Sequence, residues 1–292
     1  MSAELIEGEP IAERIMEDVR RAVEEMPSTP KLAAVLASDN AGAKFYAKSQ
    51  RKSCAEVGIE YELHDPEKAG SLETADELKA YVHKLNNDPE VNGIILLMPV
   101  PEGVNPREIQ QEIAPEKDVE GMHPANIGKL FFGDFSLAPC TPHAVVEMLQ
   151  EFGVDMKGKE TVVVGHSEIV GKPTLIMLLK SVMESPTVTC CHIATQDLAF
   201  HTRRADVLIV AAGKAGLVKG DMVKKGAVVI DVGINRVKVE KGGKKKSKIV
   251  GDVEFDAARE VAGAITPVPG GVGMVTTAML LRNTVECARR QS

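Results

Sequence analysis

Three segments of this 292-residue chain combine residue types that could hold a phosphate-bearing ligand. The first, Gly165-His166-Ser167-Glu168-Ile169-Val170-Gly171-Lys172-Pro173, follows the apolar run Thr161-Val162-Val163-Val164 and reads as a strand-to-helix turn. Glycine at such a turn lets backbone amides approach a phosphate at the positive end of the helix. Taken singly the signal is weak, because the usual three-glycine dinucleotide fingerprint is missing. The second segment is Asp231-Val232-Gly233-Ile234-Asn235 at the end of another strand-like run. The third is the loop Thr266-Pro267-Val268-Pro269-Gly270-Gly271-Val272-Gly273. Ligands of open α/β sheets bind outside the carboxyl ends of strands, so the three segments are expected to define a cleft.

Such loops need a parallel sheet behind them, and the chain supplies the pattern for one. Strand-like apolar runs alternate with amphipathic helical stretches throughout, the order that gives parallel strands with helices on both faces. A helix over about Pro10–Met26 puts Ile11, Ile15, Val19 and Val23 on one stripe. Then come a strand over Lys31–Ala37, a helix over Ala41–Val57 stopped by Gly58, a strand near Ile59–Leu63, a helix near Glu73–Leu85 and a buried strand Val91–Met98. Residues 114–142 carry four prolines among polar residues and read as irregular, with a domain boundary close by. After a helix Pro142–Phe152 a second series of strands runs through Glu160–Gly165, Thr187–His192, Ala205–Ala211 and Ala227–Val232, and a last helix spans about Val275–Arg290. The basic cluster Lys241–Lys248 reads as a solvated hairpin tip.

Composition narrows the function classes. Thirty-five basic against 42 acidic residues leave a net charge of -7, which argues against a nucleic-acid partner. The N-terminus carries acid where a targeting signal would carry base, and no apolar run could span a bilayer, so a cytoplasmic location is expected and no membrane partner. Cys54, Cys140, Cys190, Cys191 and Cys287 lack metal-type spacing and read as reduced, packed thiols, the adjacent pair facing opposite sides of a strand. His123 and His201 have no ligand-like partners nearby, so no metal is assigned.

Taken in order, the following segments resemble the methylenetetrahydrofolate dehydrogenase/cyclohydrolase family: Tyr46 on a helix, Gly93-Ile94-Ile95 leading into Pro99, Lys117-Asp118-Val119 with Gly121, Pro139-Cys140-Thr141-Pro142, the Gly165–Pro173 turn, Asp231–Asn235, Gly251-Asp252-Val253, and Thr266–Gly273. The resemblance covers nearly the whole chain. It implies an α/β fold of two domains and a homodimer. Residues 1–142 would form a folate domain completed by the C-terminal helix 271–292, and residues 143–270 a Rossmann-like, doubly wound domain for NAD or NADP. It implies oxidation of 5,10-methylenetetrahydrofolate to the methenyl form by hydride transfer to the nicotinamide. Tyr46, Glu120, Pro269, Gly270 and Gly271 would then meet the folate. The cofactor would meet Thr141, Gly165, His166, Ser167, Val170, Gly171, Pro173, Ile193, Gly213, Asp231, Gly233, Ile234, Gly273 and Thr276. Tyr46, Gln50, Leu97 and Glu120 stand at the family's catalytic positions.

At three of those positions the residue departs from the family pattern: Gln50 stands for a lysine, Leu97 for a glutamine and Glu120 for an aspartate, and Ala43 replaces a serine on the same helix. Hydride loss from the methylene carbon leaves a nitrogen-stabilised cation and moves no proton, so positioning and electrostatics suffice for it. Hydrolysis of that cation needs proton transfers, the work of a tuned lysine that a neutral Gln50 cannot do. Each helical residue turns by about 100°, so Lys44, Lys48 and Lys52 point away from Gln50 while Tyr46 shares its face. A dehydrogenase without the cyclohydrolase step, and a separate cyclohydrolase in the pathway, are therefore expected. The alternatives are the ordinary bifunctional enzyme and a non-catalytic folate or nucleotide binder. His166 and Ile193 occupy the places where NADP-using members carry an arginine and a serine for the 2′-phosphate, so NAD is favoured.

Overall fold

The computed structural model describes residues 2–181, 183–241 and 244–292. Its contacts divide the chain into two compact units, Glu13–Cys140 with Thr277–Ser292, and Met1–Ala12 with Thr141–Thr276. The folded class is the expected two-domain α/β arrangement with parallel sheets.

In the first unit a three-stranded parallel sheet has Lys31–Leu36 at its centre, Glu60–His64 on one side and Gly93–Leu97 on the other. Gly93–Leu97 and all of the central strand beyond Lys31 are buried, as unbroken apolar runs demand when helices cover both faces. The helix Ala41–Glu56 opens at Asn40, whose Oδ1 accepts from the amides of Gly42 (2.9 Å) and Ala43 (3.1 Å). It turns Ala43, Ala47, Gln50 and Cys54 inward, a stripe at helical spacing. Thr74 and Glu77 form a capping box for the helix Ala75–Asn86, which buries Leu78, Val82 and Leu85 against the sheet.

The stretch 114–142 contains a helix, Pro124–Phe131, where the proline-rich sequence suggested only irregular chain. Pro124 sits in its first turn, where a missing amide costs nothing, so that proline starts the helix instead of breaking it. The long helix Val272–Gln291 ends the chain, and its inward stripe of Ala278, Leu281, Val285 and Ala288 is buried. Buried Asn283 fastens it to the loop beside the sheet, its Nδ2 donating to the carbonyls of Val119 (2.9 Å) and Ala138 (3.0 Å).

The second unit is built on a six-stranded parallel sheet. Its order is Glu4–Leu5, Ala264–Ile265, Val228–Asp231, Val207–Val210, Glu160–Val164 and Thr187–Cys191. Residues 1–12, expected in the first domain, therefore belong here: Glu4 and Leu5 pair with Ala264 and Ile265. Two-residue strands are too short to show a period, which is why neither was legible in the sequence. From Glu160–Val164 the chain first moves to the edge strand Thr187–Cys191 and then returns to Val207–Val210 on the other side, so the sheet reverses direction beside Glu160–Val164. Asn235–Lys241 and Lys244–Val250 form an antiparallel hairpin. The tip of the basic cluster, residues 242–243, lies outside the described residues. Cys190 is exposed while Cys191 is buried, as alternation along a strand requires, so the expectation that every thiol is packed fails at Cys190.

Removing Asn283 tests the fastening of the terminal helix. Asn283→Ala strands two buried carbonyls, each worth about 1–3 kcal/mol, and should lower the urea midpoint of the first unit's unfolding transition. An unchanged midpoint would show that the helix holds without it.

Candidate active site

The first unit has a pocket of about 340 Å³ lined by Asn40, Gly42, Ala43, Tyr46, Ile95, Leu96, Leu97, Met98 and Glu120. It opens outside the carboxyl ends of the neighbouring strands Lys31–Leu36 and Gly93–Leu97, the point where this sheet reverses its order. Tyr46, Leu97 and Glu120, expected at the folate side, are thus brought together.

Glu120 reaches the pocket because its loop is sewn to the strand edge. The amide of Ile94 donates to the Lys117 carbonyl (2.8 Å), and Ile94 and Asp118 form a parallel bridge. Buried Lys117 spends its ammonium on the carbonyls of Leu85 (3.2 Å) and Asp88 (2.7 Å), and Asp118 accepts from the His123 amide (2.7 Å) and Asn126 Nδ2 (3.0 Å). Gly121 has φ 67° and packs so closely that a Cβ would lie 2.5 Å from the Ala138 carbonyl carbon. Burial pushes the Glu120 carboxyl up to about 7, and the neighbouring Asp118 adds to the rise. Gln110 Nε2 is its side-chain donor, at 3.4 Å.

Burial also pushes the Tyr46 hydroxyl up to about 12, although its residue as a whole is 42% exposed. Gln50, one turn along the same face, is 1% exposed and does not line the pocket. Its Oε1 accepts from the Tyr61 hydroxyl at 3.2 Å, and its Nε2 has no partner. Lys44, Lys48 and Lys52 are all exposed, as the helical geometry required.

The residues expected at the cofactor lie in the second unit. A pocket of about 160 Å³ is lined by Asp231–Ile234, Ile249 and Pro267–Met274, so Pro269, Gly270, Gly271 and Gly273 share a wall with Gly233 and Ile234. Pro269, Gly270 and Gly271 therefore lie in a different unit from Tyr46 and Glu120. Asp231 is buried and clasped by backbone: it accepts from the amides of Gly233 (2.9 Å), Asp252 (3.0 Å) and Val253 (2.9 Å), while burial raises its carboxyl to about 6. Asp252 accepts from the amides of Ala212 (2.6 Å) and Gly213 (2.7 Å) and from Asn235 Nδ2 (2.8 Å). One pair of carboxylates thereby ties together the loops after two adjacent strands.

At the other turn, Ser167 Oγ accepts from the amide of Val170 at 3.1 Å. A Cβ at Gly165 would lie 2.2 Å from the Ala211 carbonyl oxygen, and one at Gly171 2.1 Å from that of Gly165, so these glycines are demanded by backbone approach. Pro173 lies in the first turn of the helix Gly171–Leu178 that begins there, and Val170 precedes it. Thr276 Oγ1 donates to the Val272 carbonyl (3.0 Å) and lies 3.5 Å from Thr141 Oγ1. His166 stacks edge-on against His192, with centroids 4.9 Å apart, and Ile193 beside it is 66% exposed. His192, Asp252, Asn40 and Gln110 were not singled out from the sequence as site residues. Only Asp252, inside the Gly251-Asp252-Val253 segment, carried a signal there.

His123 caps the helix Pro124–Phe131, its Nδ1 accepting from the Ala125 amide at 3.0 Å. Among the described residues no group of three His, Cys, Asp or Glu is placed to hold a metal ion, and no helix is long and apolar enough to cross a membrane.

Comparison with known proteins places both units. Residues 6–120 match the tetrahydrofolate dehydrogenase/cyclohydrolase catalytic domain and residues 139–292 the tetrahydrofolate dehydrogenase/cyclohydrolase NAD(P)-binding domain. The chain is 48% identical to the bifunctional protein FolD 3 of Roseobacter denitrificans, over 98% of this chain and 96% of that protein. The bifunctional FolD methylenetetrahydrofolate dehydrogenase/cyclohydrolase of Campylobacter jejuni superposes with a TM-score of 0.90 at 39% identity, covering 100% of both chains. The Trypanosoma brucei methylenetetrahydrofolate dehydrogenase-cyclohydrolase, solved with NADP and an inhibitor, superposes with a TM-score of 0.88 at 34% identity, covering 99% of this chain and 98% of that one.

The buried carboxyl of Glu120 makes a prediction about stability. With its folded value raised from the ordinary 4.5 to about 7, its contribution is fully present below pH 4.5 and is lost as pH rises through about 7. Glu120→Gln removes that loss, so between pH 5 and pH 8 the variant should gain stability over the parent by on the order of 2 kcal/mol. Urea midpoints of both proteins at the two pH values check this; parallel curves would mean the carboxyl is solvated.

Proposed function

The chain belongs to the tetrahydrofolate dehydrogenase/cyclohydrolase family, and on that premise we propose that it oxidises 5,10-methylenetetrahydrofolate to the methenyl form with NAD or NADP and then hydrolyses that product. The observation that carries the first step is the Tyr46–Leu97–Glu120 pocket at the reversal point of the first sheet. The relatives are named bifunctional, which supports two activities better than the sequence-based expectation of a lost cyclohydrolase, and lends no support to a separate one in the pathway.

The residues of the second unit fit a nicotinamide dinucleotide. The close-packed Gly165 turn, the shallow apolar wall of Ile234, Val268 and Pro269, and the rigid Asp231–Asp252 clasp are what a flat ring and a diphosphate require. When bound, NAD(P) accepts the hydride. The folate is held in the other unit, in the pocket where Tyr46 presents a neutral hydroxyl and Glu120 a carboxyl. Because hydride departure moves no proton, neither residue has to change charge in that step. Assembly as a homodimer is part of the same proposal.

Gln50 is read as standing where the family pattern has lysine. Its burial and its unpartnered Nε2 support a slowed second step, because the position is neutral and already committed to Tyr61 through its Oε1. The test is a spectrophotometric assay with methylenetetrahydrofolate, following reduced cofactor and methenyl product. Absence of cofactor reduction would sink the proposal.

Two predictions concern the cofactor turn and the Gln50 position. His166 and Ile193 offer no permanent charge to a 2′-phosphate, so kcat/KM with NAD should at least match that with NADP, and His166→Arg with Ile193→Ser should shift the ratio toward NADP by about tenfold or more. A parent enzyme with a strong NADP preference would contradict this. Separately, Gln50→Lys with Leu97→Gln should raise methenyl hydrolysis above Gln50→Lys alone, because an ammonium at buried position 50 is disfavoured and apolar Leu97 can offer it no polar partner. Equal rates in the two variants would remove Leu97 from the account.

A further inference from the structure

We propose that Glu120 is the proton-transfer residue of the hydrolytic step, in place of the amine that Gln50 cannot supply; this rests on the bifunctional reading above. Of the residues lining the pocket only Tyr46 and Glu120 carry a titratable side chain. Tyr46 keeps its proton up to about pH 12, so it cannot take one from water near neutrality. Asp118 is spent: the same carboxylate oxygen accepts from the His123 amide and from Asn126, and the loop depends on both bonds. Cys140, close enough to feel Glu120, is a thiol that burial holds well above its ordinary value.

Glu120 has none of these constraints. Among the described residues its side-chain donor is the long contact from Gln110 at 3.4 Å, and its side chain lines the cavity with Tyr46 and Leu97. Compared with an aspartate, it carries its carboxyl further into the pocket by about one carbon–carbon bond, about 1.5 Å. Its value of about 7 makes both the base and its conjugate acid available at neutral pH.

The proton balance closes on this one group. Water adds to the methenyl carbon, forming the C–O bond and neutralising the cation, and its proton passes to the Glu120 carboxylate. The resulting carboxylic acid then protonates N5 as the C–N5 bond breaks, the bond pair staying on nitrogen. The hydroxyl proton returns to Glu120 as the formyl carbonyl forms, and Glu120 releases one proton to solvent. No oxidant or further reactant is needed.

The experiment follows decay of methenyltetrahydrofolate absorbance against buffer alone, with dehydrogenase turnover measured on the same preparations. It compares the parent, Glu120→Gln and Glu120→Asp between pH 6 and pH 8.5. The ratio of hydrolysis to dehydrogenase turnover should fall about 10²-fold or more in Glu120→Gln, the size of a lost acid–base group. In the parent, hydrolysis should rise with pH through about 7, and Glu120→Gln should lose that limb. Burial and the charge of Asp118 on the same loop raise its position and the Gln110 hydrogen bond lowers it; the other titratable groups facing Glu120, Tyr46 and Cys140, stay protonated over this range, and Arg282 acts on Cys140. Glu120→Asp keeps a carboxyl and should retain an intermediate ratio with its own pH limb, which a merely structural role would not produce. A parental ratio in Glu120→Gln overturns the inference, as does a parent that reduces cofactor yet hydrolyses no faster than buffer. A parent that reduces no cofactor sinks the functional reading itself.

Discussion

A carboxylate taken out of water must be given hydrogen-bond donors or keep its proton, and the loops of both units are arranged around that requirement. Asp231 and Asp252 take the first course. Between them they gather the amides of Ala212, Gly213, Gly233, Asp252 and Val253, so the chain after two strands of the six-stranded sheet is held in one conformation. Asp118 does the same for the loop that ends at Gly121. Glu120, two residues on, is half-buried at the pocket wall with one weak side-chain donor among the described residues, and holding its proton to about pH 7 is the consequence.

Both parallel sheets obey one topological rule. In each sheet the chain steps outward from a starting strand and then returns to its other side, which leaves the loops at the carboxyl ends diverging. In the three-stranded sheet the divergence lies between Lys31–Leu36 and Gly93–Leu97 and is walled by Asn40, Tyr46 and Glu120. In the six-stranded sheet it lies between Glu160–Val164 and Val207–Val210, where Gly165 meets the Ala211 carbonyl so closely that no side chain fits. Rigid strands thus carry the pockets, and the loops vary what the pockets do.

The two reactions of the family place unequal demands on this architecture. Hydride transfer asks for orientation, which strands, helix caps and clasped loops provide. Hydrolysis asks for a group that exchanges protons, and the helix that bears Tyr46 has no amine among its inward residues Ala43, Ala47, Gln50 and Cys54, its lysines being turned to solvent. The titratable group facing the pocket comes from a different element, the loop held against Ile94.

Read alone, the chain specified the α/β class, the order of its long strands and helices, and the glycine-bearing turns at strand ends, because each is encoded locally by apolar period and by glycine and proline placement. It also specified that Gln50 shares a helix face with Tyr46 and that the lysines do not, since helical geometry is the same everywhere. What it left open was decided by contacts between distant residues. The pairing of Glu4–Leu5 with Ala264–Ile265 moved the first residues into the second unit, and no two-residue strand has a readable period. Pro124 reads as a break until the His123 cap shows that it begins a helix. Glu120 reads as a conservative exchange for aspartate until burial beside Asp118 raises its carboxyl into the neutral range. That shift depends on desolvation by residues from separate elements, which only the folded chain brings together.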